Sequence, residues 1–477
     1  MDGSYDVIVI GAGAAGENAA AAAARGGLDV AIVERDLAGG ECSYWACMPS
    51  KTLLNPGKVL EVARRAPGAS ASVTGQVDVA DTLERRNRIV HDWDDSSQVE
   101  WLKNEGVALI RGHARFTGER RLSVTASDGS KTELRATSAV VIATGSRPSD
   151  PGIQGMEEVD TWGSREITAA EAVPARLLIV GGGTVGVEMA QAWAWLGSHV
   201  TLVHNSRHLL KSEEPFVSDE LRGAFERIGI TVLTETETER LRTEDDGSTV
   251  ASVRHGDGTI EEIDADEVLV ATGRRPRTDD VGLLEIGLQP GQRLTVDSHM
   301  RVQGVEAGWL YAVGDVNGRA LLTHMGKYQA RIAGAHIAGQ REAAVSEVSA
   351  VPRVVFTSPE IAAVGLTETE ARAARIPVGT VTYDIGQVAA ASVLGRGYKG
   401  TCKLVIDTRR QIVVGATFVG PQVADLLHSA TVAIVGEVPL SRLWHAVPSF
   451  PTFSEVWLRL LEAYRDGGWD PYQSEPG

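Results

Sequence analysis

The chain has 477 residues, 43% of them hydrophobic, which is enough material for about three domains. Its 46 basic against 63 acidic residues leave a net charge of −17, which argues against nucleic acid or an anionic membrane as the main partner. With three cysteines it is not a disulfide-stapled scaffold, and the Ala-rich run after Gly16 is broken by Glu17, Asn18 and Arg25 and is too short and polar to span a bilayer. Met1-Asp2-Gly3-Ser4-Tyr5 runs straight into a strand pattern without a basic leader, so a cytoplasmic protein is expected.

The first element is an apolar, β-branched strand, Asp6-Val7-Ile8-Val9-Ile10, ending in Gly11-Ala12-Gly13-Ala14-Ala15-Gly16. An Ala-rich helix follows, then a second strand, Asp29-Val30-Ala31-Ile32-Val33, closed by Glu34. Strand, glycines, helix, strand and acid in this order form a dinucleotide-binding unit. Gly11 allows the tight turn, Gly13 the approach of a pyrophosphate, Gly16 the close packing of helix on strand, and Glu34 accepts from ribose hydroxyls. The helix N-terminus faces the phosphates with its N–H groups and positive dipole end.

Beyond this unit comes Gly39-Gly40-Glu41-Cys42-Ser43-Tyr44-Trp45-Ala46-Cys47-Met48-Pro49-Ser50-Lys51, which holds two of the three cysteines. A close pair in such a chain reads as redox-active, catalytic or metal-binding. Two thiols without a nearby His or further Cys are too few for a structural zinc, which leaves a redox pair or two inert buried thiols. Pro49 suits the first turn of a helix, whose positive end lowers a thiol pKa.

The nucleotide pattern recurs. Arg176-Leu177-Leu178-Ile179-Val180 leads into Gly181-Gly182-Gly183-Thr184-Val185-Gly186, with His199-Val200-Thr201-Leu202-Val203 as the second strand. The interval that separates Gly11 from Glu34, counted from Gly181, lands on His204, followed by Asn205, Arg207 and Lys211. A carboxylate would repel a 2′-phosphate, whereas this uncharged-to-basic cluster accepts one, so NADPH is expected over NADH; Arg207 and Lys211 as plain solvated surface is the alternative. A second echo pairs Val140-Val141-Ile142-Ala143-Thr144-Gly145-Ser146-Arg147-Pro148 with Val268-Leu269-Val270-Ala271-Thr272-Gly273-Arg274-Arg275-Pro276, two buried strands each stopped by Gly and Pro. Further on, Gly314-Asp315 follows the strand-like Leu310-Tyr311-Ala312-Val313, and Cys402 lies in the strand-like Cys402-Lys403-Leu404-Val405-Ile406, where a buried structural thiol is expected.

From Tyr5 to about Tyr464 the chain resembles the flavoprotein disulfide reductases (glutathione reductase, dihydrolipoamide dehydrogenase, mercuric reductase), whose active site is written GGTCxNxGCxPSK. Here Glu41 replaces the Thr and Ser43-Tyr44-Trp45-Ala46 the usual insert. The resemblance implies an α/β chain with two Rossmann-like nucleotide-binding domains and an α+β C-terminal dimerisation domain. The expected division is 1–152 and 273–348 for FAD, 153–272 for NAD(P), 349–465 for dimerisation, and a flexible polar tail over 466–477. It implies FAD, NADPH or NADH, a homodimer and a small-molecule electron acceptor.

By the same resemblance Cys42 and Cys47 form a redox-active disulfide, with Cys47 as the thiolate beside the flavin and Cys42 as the interchange thiol. Lys51 lies near the flavin and is paired with Glu188, and Asp315 holds the flavin side of FAD. Gly40, Ala114, Thr144, Gly145, Gly273, Gly314 and His324 contribute to the flavin site, and Gly181, Gly183, Gly186, Asn205 and Arg207 to the nicotinamide site. Tyr44 and Trp45 either line the substrate side or pack against the flavin domain.

The resemblance breaks at the C-terminus. The family's His-Pro-Thr-x-x-Glu, supplied by the partner subunit, reads here Phe450-Pro451-Thr452-Phe453-Ser454-Glu455. A phenyl ring transfers no proton, and general acid–base help is worth about 10²–10⁴-fold. Mercuric reductases carry an aromatic there, but also a C-terminal cysteine pair, and this chain has no Cys after Cys402. His445 or Glu455 are the candidates to replace the missing group. The readings that follow are an oxidoreductase with an atypical acceptor (a disulfide, a quinone or a metal ion), a dihydrolipoamide dehydrogenase-like component, or a flavin-bearing complex subunit with a vestigial redox site.

Overall fold

The computed structural model describes residues 3–470 apart from Asp246. The chain divides into two compact units, one of Met1–Pro49, Glu84–Ser149 and Gly273–Glu347, the other of Ser50–Leu83, Asp150–Thr272 and Val348–Gly477.

The first unit is built on β1 (Gly3–Ile10), α1 (Ala14–Arg25), β2 (Val30–Glu34), α2 (Gly40–Tyr44) and the start of α3 (Cys47–Arg65). After these come β3 (Val107–Arg111), β4 (His113–Gly118), β5 (Arg121–Thr125) and β6 (Lys131–Ile142). Its sheet runs β3-β2-β1-β6-β5-β4, with Leu310–Ala312 added beside β6 as a seventh strand. A parallel sheet covered on both faces needs apolar side chains in both directions, which is why Val7, Ile8, Val9 and Ile10 form an unbroken buried run. Ile10 pairs with Val33 on one side and Ile142 on the other, and Leu310 pairs with Val140, so β1, β2, β6 and Leu310–Ala312 deliver their C-terminal ends to one edge. The first half of β6 pairs antiparallel with β5, and β5 with β4.

Helix Thr323–Ile337 packs along α1 through small residues: a Cβ on Gly326 would stand 3.2 Å from that of Ala15, and one on Gly334 2.4 Å from that of Ala22. The Ala-rich composition of α1 is therefore a packing requirement, not only helix propensity.

In the second unit the remainder of α3 continues through Pro56, a residue that costs a helical hydrogen bond. The neighbouring Gly57 lies so close to Trp195 that an added Cβ would approach its ring to 2.3 Å. A four-stranded parallel sheet runs Thr231–Leu233, His199–Val203, Arg176–Val180, Glu267–Val270, beside a three-stranded antiparallel sheet of Thr236–Thr243, Thr249–His255 and Ile260–Ala265. Helix Thr184–Leu196 buries Val187, Met189, Ala190 and Trp193. The C-terminal part is a five-stranded antiparallel sheet, ordered Arg353–Val355, Glu360–Gly365, Ile412–Gly420, Thr401–Asp407, Val378–Asp384. Helices Val423–Val435 and Glu455–Asp466 share its core, and Phe418 meets Trp457 edge-on at 6.0 Å.

Cys402 is fully buried in this sheet, and burial pushes its thiol well up. Of the expected tail, Asp466 closes the last helix and Trp469 packs on Tyr464 and Trp444, with ring centroids 5.8 and 6.0 Å away. Residues 471–477 lie outside the described residues.

Trp193 is fully buried and sits 5.9 Å from the ring of Trp162. Trp193→Ala is expected to cost about 3–5 kcal/mol, seen as a lowered urea midpoint for the transition that unfolds this unit.

Candidate active site

In the first unit the glycine loop between β1 and α1 is set by contact. Gly11 has φ +100°, and a Cβ on Gly16 would lie 1.8 Å from the Gly11 carbonyl oxygen, so no side chain fits at the helix–strand crossing. Gly13 is the N-cap of α1, extended and without a side-chain cap. Gly40, at φ +62°, comes so close that its Cβ would meet Gly13 Cα at 2.7 Å, and the Gly39 N–H donates to the Ala12 carbonyl at 2.7 Å. These contacts dock the cysteine-bearing loop on the start of α1. Glu34 closes β2 and accepts from the N–H groups of Ala12 (2.7 Å) and Asp36 (2.8 Å).

Cys42 lies in α2, and Cys47 opens α3. Both are half-buried. The hydrogen bond to Cys47, then burial, push the Cys42 thiol up, with Thr323 and then Lys327 pulling the other way. Cys47 Sγ stands 3.2 Å from Thr323 Oγ1, at the first residue of helix Thr323–Ile337. Tyr44 is buried, with its hydroxyl donating to the Asp94 carbonyl at 3.4 Å, and Trp45 tilts against it at 5.6 Å, so Tyr44 packs against its own unit.

Asp315, after the strand Leu310–Ala312, is buried, and burial pushes its carboxyl up. The Ser146 hydroxyl donates to it at 2.5 Å, and Arg274 Nε donates to the Ser146 hydroxyl at 2.6 Å. The Gly314 N–H donates to Gln329 Oε1 at 2.7 Å. Thr144 Oγ1 donates to the Arg277 carbonyl at 2.7 Å, the Arg277 N–H to the Gly145 carbonyl at 3.0 Å, and the Ser149 N–H to the Gly273 carbonyl at 3.0 Å. The two echoed segments thus clasp each other, paired antiparallel over Ser146–Pro148 and Arg274–Pro276. Ala114 is buried in β4, and His324 is exposed at the second position of its helix.

In the second unit Lys51 Nζ lies 2.6 Å from Glu188 Oε2, while Glu188 Oε1 accepts the Phe356 N–H at 2.9 Å. Lys51 also sits 5.0 Å from the centroid of the Phe356 ring. Glu188 is almost fully buried, and Lys51 is about a third exposed. The second glycine loop repeats the first: a Cβ on Gly186 would lie 1.9 Å from the Gly181 carbonyl oxygen, and nothing stands within 4 Å of one on Gly183. At the place of Glu34, His204 accepts the Gly182 N–H on Nδ1 at 3.2 Å, and burial, then Lys211, lower its pKa. Asn205 and Arg207 are exposed beside it.

Phe450 is 74% exposed. Glu455 is buried, with one oxygen 2.6 Å from Arg459 Nη2 and the other accepting the Ala389 N–H at 3.2 Å. His445 is exposed. Thr323, Ser146, Arg274 and Lys327 are residues that motif reading leaves without a site role; Ser146 and Arg274 stand inside the echoed segments, but nothing local marks Thr323 or Lys327.

A family model described as pyridine nucleotide-disulphide oxidoreductase matches residues 5–341, and that of the family's dimerisation domain matches residues 351–461. The chain belongs to the pyridine nucleotide-disulphide oxidoreductases. It is 34% identical to the dihydrolipoyl dehydrogenase of Thermus scotoductus over 462 residues, 96% of this chain and 97% of that one. It is 31% identical to a mercuric reductase of Staphylococcus aureus over 456 residues, 95% of this chain and 81% of that one. A solved Cu(II) complex of the HOCl-induced flavoprotein disulfide reductase RclA from Escherichia coli has the same fold, with a TM-score of 0.83 at 24% identity over 96% of this chain and 99% of that one.

Members of the family are FAD-dependent enzymes that use NAD(P)H. The residues here fit both groups. The uncapped N-termini of α1 and of helix Thr184–Leu196, with Gly13 and Gly183 at their caps, leave room for a phosphate against backbone N–H groups.

Thr323→Val removes the hydroxyl donor from Cys47. A hydrogen bond to a charged group is worth about 1.5–3 kcal/mol, so the Cys47 thiol is expected to ionise about one pKa unit or more higher, measured by the ultraviolet absorbance of the thiolate against pH.

Proposed function

We propose that this oxidoreductase takes two electrons from a nicotinamide, NADPH by preference, and passes them through FAD to the Cys42–Cys47 pair. A small acceptor that needs no histidine proton relay, a metal ion or a quinone, then takes them. The observation that carries the reading is the pairing of an intact input side with an altered output side. Cys47 has its hydroxyl partner and Lys51 its carboxylate, whereas Phe450 stands in the family histidine's place.

In this reading Gly11, Gly13, Gly16, Glu34, Gly40, Ala114, Thr144, Gly145, Gly273, Gly314, Asp315 and His324 hold FAD across 1–152 and 273–348. Gly181, Gly183, Gly186, Asn205 and Arg207 hold the nicotinamide nucleotide across 153–272. When bound, the flavin relays the electron pair of the nicotinamide hydride to the sulfur atoms. Cleavage of the Cys42–Cys47 bond leaves a thiolate on Cys47, stabilised by the Thr323 hydroxyl, and a sulfur on Cys42 that takes one proton. Lys51, held by Glu188, supplies positive charge, and the Phe356 N–H keeps the Glu188 carboxylate oriented. Glu455, engaged by Arg459 and the Ala389 N–H, anchors the segment that presents Phe450.

The homodimer is formed through 349–465, where Val432, Val435 and Val447 expose apolar side chains. Among the described residues no helix is long and apolar enough to cross a membrane, and a cytoplasmic enzyme is proposed. The similarity to dihydrolipoyl dehydrogenase supports a second reading, with lipoamide as the disulfide, which Phe450 disfavours.

Stoichiometric NADPH is expected to produce a thiolate-to-flavin charge-transfer band and to make both cysteines titratable; absence of both sinks the proposal. In steady state, mercuric or cupric ion or a quinone should outpace lipoamide and glutathione disulfide, and lipoamide turnover at ordinary family rates would favour the second reading. Phe450→His should raise disulfide turnover about tenfold or more and leave metal-ion reduction unchanged.

His204→Glu places a carboxylate where the 2′-phosphate is proposed to bind. It should raise the NADPH KM about tenfold, the scale of one charge-assisted contact, without raising that for NADH.

A further inference from the structure

Gln191 lies three residues beyond Glu188 on helix Thr184–Leu196, so the two side chains leave the same face of that helix. Gln191 is 1% exposed, and its amide both accepts and donates. Oε1 accepts the Ser358 N–H at 2.6 Å, and Nε2 donates to the Ser358 carbonyl at 3.0 Å. A side chain bonded to both backbone groups of one residue holds it much as a paired strand residue does. Two residues earlier, the Phe356 N–H donates to Glu188 Oε1 at 2.9 Å. One helix face therefore grips the stretch Phe356–Ser358 at both ends.

Lys51 of α3 stands against the near end of this stretch. Its Nζ lies 2.6 Å from Glu188 Oε2 and 5.0 Å from the centroid of the Phe356 ring, so carboxylate and ring act on one ammonium. A shift of the Phe356 backbone would carry the ring with it and, through the N–H on Oε1, disturb the carboxylate. Among the described residues the hydrogen bonds of Gln191 go to Ser358 and none to Lys51. Its influence on the ammonium therefore passes through the backbone of the stretch. The far side is tied down independently: Glu360 is buried, accepts the Ala424 N–H at 3.1 Å and pairs with Lys58, two turns after Lys51 on α3. Loss of the Gln191 contact would thus loosen the stretch locally.

We propose that Gln191 is a positioning residue for reduction of the flavin by the nicotinamide nucleotide. By holding Ser358 it keeps Phe356 and Glu188 in register, and so sets where the Lys51 ammonium stands. The inference rests on the reading of Lys51 as the positive charge beside the flavin. Gln191 is not among the residues proposed to hold either nucleotide. Its loss therefore lowers the rate of hydride transfer and spares the affinity for NADPH, because a reacting group is misplaced and no binding contact is removed.

The first measurement is hydrogen–deuterium exchange at the Phe356 amide of the flavin-loaded protein, read by mass spectrometry. That N–H is bonded to Glu188 and not to Gln191, so faster exchange in Gln191→Leu, about tenfold or more, shows that the two grips are coupled. The second is stopped-flow reduction by NADPH. Gln191→Leu should lower the limiting rate about ten- to a hundredfold and keep the NADPH Kd within about twofold. Gln191→Glu is the conservative variant: protonated, its carboxyl accepts and donates as the amide does, whereas ionised it repels the Ser358 carbonyl. Its rate relative to the native protein should therefore recover as the pH falls. Lys51→Met should slow reduction as well, and Gln191→Leu added to it should change little further, because the effect runs through the ammonium. Unchanged exchange at Phe356, an equal loss from Gln191→Leu with and without Lys51, or no recovery of Gln191→Glu at low pH overturns the proposal. A slowed Lys51→Met beside an unaffected Gln191→Leu overturns the proposal alone. A Lys51→Met protein reduced at the native rate overturns the reading of Lys51, and the proposal with it.

Discussion

The Gly11 carbonyl oxygen occupies the space that a Cβ on Gly16 would need, and the arrangement of the first unit depends on that contact. Because no side chain intervenes, α1 follows β1 after only three residues and packs closely on the strand it leaves. Its uncapped first turn is thereby aimed past the strand ends, where a phosphate would find backbone N–H groups. The next consequence is at Gly13, whose bare Cα admits Gly40 and so fixes the loop carrying Cys42. The small residues further along α1 then admit helix Thr323–Ile337, which brings Thr323 to Cys47. One close backbone approach thus propagates to the sulfur chemistry through packing alone. The second unit repeats the contact between Gly186 and Gly181.

Buried polar groups do the positioning that glycine does not. Asp315 is held by Ser146, and Ser146 by Arg274, so a carboxyl at one strand end is oriented by residues from two distant segments of the chain. Glu188 is oriented from two sides, by the Lys51 ammonium and by the Phe356 backbone N–H, and Gln191 repeats the arrangement by bonding both backbone groups of Ser358. Such groups are stable in a low-dielectric interior because each is satisfied, and removing one partner leaves the other with its full desolvation cost.

Much of the fold was legible in the sequence because the signals are local. A β-branched run, three glycines at fixed intervals and an alanine helix follow from backbone sterics within some twenty residues, and the family resemblance carried the pattern across the chain. Lys51 with Glu188 was legible by that resemblance and not by spacing. Thr323 was not, since a threonine at a helix start reads as ordinary until Cys47 is seen 3.2 Å away. Pro56 is a local helix breaker, yet α3 runs through it, with Gly57 closely fitted against Trp195. Glu17 reads as a polar interruption of an alanine run, and its burial is visible only in the folded chain.

The sequence by itself determined the two glycine-rich strand–helix units, the cysteine pair and the phenyl ring of Phe450 before Pro451, because each rests on residue identity at short spacing. Only the tertiary structure decided what holds Asp315 and Glu188, and that Thr323 meets Cys47. Those are questions of distance and burial between segments remote in the chain, and they are answered only when the helices have packed.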